Sequence, residues 1–269
     1  KGLTITLDDI RSGGPDAVLA RLMSLVEGRV CIADAVSYRD LEVLVVAILR
    51  AEAQGRSFLY RTAASFVRTR AGLDARPLLT SSDLSIDRSA GGLVVVGSYV
   101  PRTTAQLSYL LRDTSIVPLE LSVDALLSPE WEATLAHIAQ QIDDHLWRGQ
   151  TTVMYTSRDV ASGSDAQQSL LIGQRVSQGI IALLHALTQR PAFVVAKGGI
   201  TSSDVATQAL KAKRAVVRGQ LTPGVPVWEL DSDSRYPDLP YIVFPGNVGD
   251  DTTLATVVNE LTAAAELSK

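Results

Sequence analysis

Three segments of the chain place glycine directly after a short apolar run, where the backbone could bind an anion. They are Val96-Gly97-Ser98, with Thr103-Thr104 nearby, Lys197-Gly198-Gly199-Ile200-Thr201-Ser202-Ser203-Asp204, and Pro245-Gly246-Asn247-Val248-Gly249-Asp250. Glycine lets the backbone approach a phosphate closely, and the N–H groups of a following helix can donate hydrogen bonds to it. Ser and Thr hydroxyls can add further hydrogen bonds or cap the helix. The three segments therefore indicate phosphate-binding loops.

Taken singly, each segment is better explained as an ordinary tight turn between a strand and a capped helix. Three such segments in one domain, one of them with a double glycine and a lysine, favour a phosphate-bearing ligand instead. The sequence contains neither a Gly-x-x-x-x-Gly-Lys-Ser/Thr segment nor a Gly-x-Gly-x-x-Gly segment. A P-loop ATPase and an NAD-linked oxidoreductase are therefore disfavoured.

The elements that must position these loops follow from the apolar pattern. Short Val- and Ile-rich runs without strict alternation are followed by loops and then by stretches of helical period. The pattern predicts strands near 29–34, 57–60, 93–96, 115–119, 152–155, 193–196, 215–217 and 241–244, and helices near 38–53, 129–147 and 170–189. This alternation predicts an α/β fold with mostly parallel sheets flanked by helices. The carboxyl ends of parallel strands share one edge, so the three loops should lie together there.

Composition divides the chain and limits its partners. The segment from Ala75 to Ala90 is polar and rich in Pro and Ser, which predicts one domain over 1–76, a linker over 77–90 and a second domain over 91–269. The net charge of −4 disfavours a nucleic-acid partner. No apolar run approaches the roughly 20 residues that span a bilayer, so no membrane association is expected. Cys31 is the only cysteine, which fits a reducing cytoplasm.

Histidine and tryptophan offer weaker signals, and packing explains them better than chemistry. The spacing of His137, His145 and His185 forms no metal triad with a carboxylate, so the sequence names no metal ligand. Trp131 and Trp147 are expected on the apolar face of a helix. Trp228 fits core packing better than stacking on a nucleobase.

The glycine segments and their surroundings resemble the four-carbon acid sugar kinase family. The resemblance rests on five segments in family order: Tyr60-Arg61-Thr62-Ala63-Ala64-Ser65-Phe66-Val67-Arg68, Val95-Val96-Gly97-Ser98-Tyr99-Val100-Pro101, Lys197 to Ala206, Gly219 to Trp228, and Phe244 to Gly249. It implies an N-terminal sugar-acid-binding domain and a C-terminal nucleotide-binding domain. It also implies ATP-dependent phosphorylation of the terminal hydroxyl of threonate, erythronate or 3-oxo-tetronate.

The resemblance assigns ATP to the three loops, with Mg²⁺ bridging the phosphate oxygens. It implies contacts from Ser98, from Gly198, Gly199, Ile200 and Thr201, and from Gly246; Lys197 and Asn247 lie in the same segments and complete the expected nucleotide-binding set. Lys197 would neutralise phosphate charge, although a lysine at a strand end more often faces solvent. Asp204 suits either Mg²⁺ or the first turn of a helix, and for Asp250 and Asp251 the helix start is the favoured interpretation.

Arg61 and Asp34 are the expected sugar-acid-binding residues. Arg61 follows a predicted strand and could pair bidentately with the substrate carboxylate, with a structural ion pair as the equally favoured alternative for Arg61 and Arg68. Asp34 could contact substrate hydroxyls. The sequence does not identify a catalytic base, the preferred four-carbon acid or the oligomeric state.

The front of the chain departs from the family pattern. Leu7-Asp8-Asp9-Ile10 lacks the Thr-Gly of the family's Asp-Asp-x-Thr-Gly loop, so we expect only the last part of the sugar-binding domain, in an N-terminally truncated form. This departure keeps a second hypothesis open, in which the chain is a non-catalytic nucleotide- or sugar-acid-binding module.

Overall fold

The chain forms two compact units, residues Lys1–Arg76 and Pro77–Lys269. They are seen in a computed structural model that describes residues 2–97, 99–113, 115–157 and 166–263. Within these residues no helix is both long enough and apolar enough to cross a bilayer.

The first unit packs four helices with two parallel strands. Its elements in chain order are β1 (Leu3–Ile5), α1 (Leu7–Arg11), α2 (Gly14–Met23), β2 (Cys31–Ala33), α3 (Tyr38–Ala53) and α4 (Ala64–Arg70). Ile5, Val18 and Ala47 are fully buried in its core. The predicted helix at 38–53 is confirmed, whereas the predicted strand at 57–60 is wrong. Residues 57–60 pair with neither described strand of the unit, and Leu59 is fully exposed.

Asp40 fixes the start of α3. It forms a capping box with Ser37 and accepts hydrogen bonds from Nε and Nη2 of Arg11 at 2.9 and 3.0 Å. The Arg11 guanidinium, together with the hydrogen bonds at the helix start, holds the pKa of the Asp40 carboxyl well below its usual range. This capping box pairs the Ser37 and Asp40 side chains with the first N–H groups of the helix and so fixes where it begins.

The second unit is built on a seven-stranded sheet. Its strands are β3 (Leu93–Val96), β4 (Val117–Leu121), β5 (Thr152–Thr156), β6 (Val194–Lys197), β7 (Ala215–Thr222), β8 (Val225–Leu230) and β9 (Pro240–Phe244). Their order is β4-β5-β3-β6-β9-β8-β7. The first five of these are parallel, and β8 and β7 continue the sheet antiparallel. The predicted α/β class with a mostly parallel sheet is confirmed.

Helices cover both faces of this sheet. They are α5 (Pro101–Leu110), α6 (Val123–Leu127), α7 (Trp131–Trp147), α8 (Ala166–Ala186), α9 (Gly199–Asp204), which continues into a π-helical turn at Val205–Ala209, and α10 (Thr253–Thr262). Leu93 and Val95 face the core formed with α7, α8 and the π-helical turn. Val94 and Val96 face the core formed with α5 and α10. The continuous apolar strands are thus buried on both sides, as their pattern predicts.

Residues 77–90, which the sequence predicts as a linker, belong to the second unit and pack against its sheet and helices. The Leu79 N–H donates to the Gln220 carbonyl at 2.8 Å, and the Ser81 N–H donates to Glu260 Oε1 at 2.8 Å. Leu84 and Ile86 pack on the core that holds α5 and α10. This polar segment is therefore held by backbone hydrogen bonds and scattered apolar contacts.

The β7–β8 hairpin was not predicted in full. The sequence indicates a strand only at 215–217 followed by a Pro/Gly-rich turn, but β7 extends to Thr222 and β8 follows immediately. The pairing is irregular between Val217 and Gly219 and between Gln220 and Thr222, next to Pro226. Proline and glycine mark bulges in such a strand pair, and these irregularities hide the strand pattern.

Candidate functional site

The three glycine loops leave the sheet side by side. Strands β3, β6 and β9 are adjacent and parallel, and their pairing aligns Val96 with Lys197 and Lys197 with Phe244. The helix after β6 lies on the opposite face from those after β3 and β9. Parallel strands whose connections diverge in this way leave a crevice at their carboxyl ends, where ligands bind in open α/β sheets.

The first and second loops touch at Gly97. A Cβ atom on Gly97 would lie 2.6 Å from Thr201 Oγ1 and 2.9 Å from Ile180 Cδ1, closer than real Cβ contacts. Glycine at this position therefore lets the two loops approach each other. Ser98, the predicted nucleotide contact in the first loop, lies outside the described residues.

The second loop presents backbone N–H groups at the start of α9. Gly198 has φ 117° and ψ 143°, a conformation that residues with a side chain rarely adopt, and its N–H donates to the Phe244 carbonyl at 2.8 Å. Gly199, Ile200 and Thr201 form the first turn, whose N–H groups have no partner within a helix. No acceptor for these three N–H groups is found among the described residues. Gly199 faces open space and the Ile200 side chain is exposed.

Buried hydrogen bonds hold this first turn in place. Ser202 Oγ lies 2.6 Å from the Ala196 carbonyl and 2.7 Å from that of Gly198, and the Tyr241 hydroxyl donates to the Ser202 carbonyl at 2.6 Å. Burial raises the pKa of Tyr241 far above its ordinary value, so the hydroxyl stays protonated as a donor. Buried hydrogen bonds thus hold the backbone of the loop in the conformation that presents its N–H groups.

The third loop is tied to α5 by three side chains. Thr103 Oγ1 donates to the Gly246 carbonyl at 3.3 Å, and Arg102 Nη1 donates to that of Gly249 at 2.8 Å. Gln106 Nε2 donates to the carbonyls of Val248 and Asp250, at 3.0 and 2.6 Å. The Asn247 side chain is exposed at the tip of the loop.

Arg102 and Gln106 were not predicted from the sequence. The signal that could have found them is their spacing of four residues, which places both on one side of a helix that follows a glycine loop.

Lys197 is fully buried rather than facing solvent, so the expected solvent-facing alternative is wrong. Its Nζ donates to the Pro245 carbonyl at 2.7 Å and lies 4.1 Å from the centre of the Phe244 ring. Burial, with a contribution from the nearby charge of Arg102, lowers the pKa of Lys197 to about 8. The amine is therefore a cation without its hydration shell beneath the three loops. Its electric field acts on them.

Two of the three predicted carboxylates already accept hydrogen bonds within the protein. Asp204 is the last residue of α9, not a first-turn residue, and its carboxylate accepts from Ser177 Oγ and from Gln208 Nε2. Asp250 accepts from the Thr252 N–H at 3.0 Å and from the hydroxyls of Thr252 and Thr253, which fits the start of α10. Asp251 is exposed beside it. Among the described residues no group of three His, Cys, Asp or Glu could hold a metal ion.

Arg61 and Asp34 both lie in the first unit. Arg61 lies in the loop before α4 and Asp34 directly follows β2; both are exposed, and within the described ranges no ion pair engages either side chain. Arg68 instead stacks on the Tyr38 ring at 4.2 Å and donates to the Leu73 carbonyl. The ion-pair interpretation of Arg68 is therefore wrong, and the substrate role of Arg61 and Asp34 stays a prediction.

The remaining histidines and tryptophans have structural surroundings. His145 contacts Gln150, and His185 contacts the Gln208 carbonyl. Trp228 packs against Tyr241 in the core, as expected. Trp147 is 76% exposed, so its expected place on the apolar face is wrong.

Two family models match the chain, and together they cover most of it. The model described as the nucleotide-binding C-terminal domain matches residues 93–254, and the sugar-binding N-terminal domain matches residues 2–70. These are the two domains of one family. The chain belongs to the four-carbon acid sugar kinase family. The three glycine loops of this family member all lie within the nucleotide-binding domain.

Solved structures share this fold. A protein from Salmonella typhimurium LT2 is 20% identical with a TM-score of 0.62, over 96% of this chain and 60% of that protein. A DUF1537 protein from Haemophilus influenzae is 18% identical with a TM-score of 0.56, over 98% and 61% of the two chains. A third, from Bordetella bronchiseptica with bound citrate, is 19% identical with a TM-score of 0.53, over 97% and 59%. The chain thus spans about 60% of the length of these structures. No curated protein matches its sequence.

Proposed function

We propose that the second unit binds ATP where the three glycine loops meet. The observation that carries the proposal is the alignment of the ends of β3, β6 and β9 within a domain of the nucleotide-binding family. The N–H groups of Gly199, Ile200 and Thr201, which have no acceptor among the described residues, would donate to phosphate oxygens. Gly246, Asn247 and Ser98 would line the same ligand from the third and first loops.

Lys197 acts on the phosphates through its charge. Its ammonium lies under the second and third loops, where low dielectric strengthens its field. The bond to the Pro245 carbonyl also fixes the third loop at its first residue. Lys197 therefore both positions Gly246 and offsets phosphate charge.

Mg²⁺ would accompany the nucleotide rather than occupy a carboxylate site of the protein. Both Asp204 oxygens accept hydrogen bonds, and Asp250 Oδ1 accepts from Thr252 and Thr253 just before α10. These oxygens are therefore already engaged within the protein. Phosphate oxygens and water are ligands that Mg²⁺ commonly retains in such sites.

The reaction proposed for the family member is phosphoryl transfer from ATP to the terminal hydroxyl of a four-carbon sugar acid. The acid would bind the first unit, which matches the sugar-binding domain, with Arg61 on its carboxylate and Asp34 on its hydroxyls. The Bordetella bronchiseptica relative binds citrate, another small organic acid. Transfer of this kind depends mainly on positioning and charge neutralisation.

An assay of ADP release tests the proposed reaction. The chain is incubated with Mg-ATP and D-threonate, D-erythronate or 3-oxo-tetronate, with an acid-free blank to measure background hydrolysis. A full-length family member serves as the positive control, because this chain spans about 60% of its solved relatives. Acid-dependent ADP release supports the kinase. ATP binding without acid-dependent release would contradict it and favour the alternative of a nucleotide-binding module.

A further inference from the structure

Arg102 places a second cation beside Lys197. It is the second residue of α5, and its Nη1 bond to the Gly249 carbonyl holds the guanidinium against the third loop. Its side chain is exposed, and no carboxylate pairs with it in the described part of the chain. A guanidinium carries five N–H donors, and the Gly249 carbonyl takes one of them.

The two cations repel each other across the site. Lys197 is fully buried, and the charge that acts on it besides burial is that of Arg102, which has the same sign. Asp250 lies in the third loop, but its Oδ1 accepts from the N–H and hydroxyl of Thr252 and the hydroxyl of Thr253, and no ion pair joins it to Arg102 or Lys197 in the described part of the chain. Two close cations without a carboxylate cost free energy, which an anion between or above them would offset.

A purely structural role explains Arg102 less well. Any neutral donor of similar reach could hold the Gly249 carbonyl, and Gln106 does so for its two neighbours, Val248 and Asp250. A charged donor strengthens that bond, but the charge also raises the cost of burying Lys197. A ligand of opposite charge bound here would offset this cost.

We propose that Arg102 is a phosphate-binding residue that pairs with the polyphosphate chain of the nucleotide and offsets the repulsion between Arg102 and Lys197. The inference rests on the proposed ATP site and adds a side-chain contact to its backbone donors. Arg102 lies where the first loop ends and the third loop passes, so it would reach the phosphates from the opposite side to the α9 amides. Its planar fork suits two phosphate oxygens at once.

Titration of ATP and AMP by calorimetry tests the role of Arg102. Arg102→Gln keeps an N–H donor for the Gly249 carbonyl and removes the charge. We expect it to weaken ATP binding about ten-fold or more and AMP binding much less, because AMP lacks the outer phosphates. Arg102→Lys, which restores charge without the fork, should recover part of the ATP affinity.

Arg112→Gln is the matched control, because Arg112 lies just beyond the opposite end of α5 and stacks on Tyr109. It should leave both affinities unchanged. Equal loss for ATP and AMP in Arg102→Gln, or no loss for either, would overturn the role of Arg102 while leaving the ATP site intact. Absence of ATP binding by the unaltered chain would overturn the ATP site and the inference together.

Discussion

Lys197 is a residue whose buried charge suits the proposed site but lowers the stability of the fold. It occupies the last position of a strand, between Val96 and Phe244 on the face covered by α5 and α10. A cation there loses its hydration and gains contacts with the Pro245 carbonyl and the Phe244 ring. Groups kept in such positions are often functional, because burial without a partner charge lowers stability.

Replacing Lys197 with methionine should change how stability depends on pH. The pKa of Lys197 is about 8 in the folded chain, against an ordinary value of 10.5. The unfolded chain therefore binds more protons between these pH values, so this group makes the free energy of unfolding rise with pH there. The slope is at most about 1.4 kcal/mol per pH unit. Lys197→Met should lack that rise.

Denaturant unfolding of both proteins from pH 7 to 10 measures this difference. Lys213→Met, a change at an exposed lysine, is the control and should follow the unaltered chain. A stability gap between Lys197→Met and the unaltered chain that stays constant over this pH range would show that Lys197 is not desolvated.

At the scale of elements, α5 determines the shape of the third loop. Arg102, Thr103 and Gln106 each donate to a carbonyl of residues 246–250, so one helix end fixes most of that backbone. A loop held in this way by side-chain hydrogen bonds loses little entropy when it binds a ligand, which improves affinity. The helix thus couples the first glycine loop, which it follows, to the third.

Gln106→Leu should loosen the third loop. The change removes two hydrogen bonds: among the described residues it leaves the Val248 carbonyl without a partner, while the Asp250 carbonyl keeps the Thr253 N–H at 3.3 Å. We expect a cost of about 1–3 kcal/mol in the free energy of unfolding. The buried Oε1 of Gln106 has no hydrogen-bond partner in the described part of the chain, so its removal offsets part of that cost. We also expect weaker ATP binding, since Gly246 belongs to the same loop.

Thermal unfolding and ATP titration of Gln106→Leu check both effects. Gln140→Leu, at an exposed position of α7, is the control and should change stability by less than about 0.5 kcal/mol. Unchanged ATP affinity in a destabilised Gln106→Leu protein would separate the packing of the loop from nucleotide binding.

Local signals predicted some elements well and others poorly. The helix predicted at 38–53 from the apolar period matches α3, whose start the capping box of Ser37 and Asp40 fixes. The strand predicted at 57–60 has the right residue types but no neighbouring strand, because β-structure depends on pairing that a local pattern does not contain. The same dependence hid β8, whose Pro226 reads as a turn residue.

At the scale of the whole molecule, the strand order brings together loops that begin near residues 97, 198 and 245. The sequence predicts that they share the carboxyl edge of a parallel sheet, but their adjacency depends on the order β3-β6-β9. That order is set by which helix packs on which face, a tertiary property. Gly97, Gly198 and Gly246 were therefore predictable from local pattern, whereas Arg102 and Gln106 needed the packing of α5 on the third loop.

How the first unit binds its ligand was less predictable from the sequence. The sequence indicates Arg61 and Asp34 from their positions after apolar runs, and the structure leaves both exposed. Their shared role with a sugar acid depends on a bound geometry that neither local pattern nor strand pairing determines. This role stays a prediction, and the measurement of acid-dependent ADP release tests it.

The most direct test of the account is ATP titration of a variant that fills the space above the second loop. A Cβ atom on Gly199 meets nothing within 4 Å, so Gly199→Trp should fold normally and project its ring over the N–H groups of α9. Asn259→Trp is the matched control, because Asn259 is exposed near the far end of α10. We predict that Asn259→Trp binds ATP like the unaltered chain and that Gly199→Trp, with an unchanged melting temperature, loses at least about ten-fold in affinity. Equal ATP binding by both variants would contradict a nucleotide site at the three glycine loops.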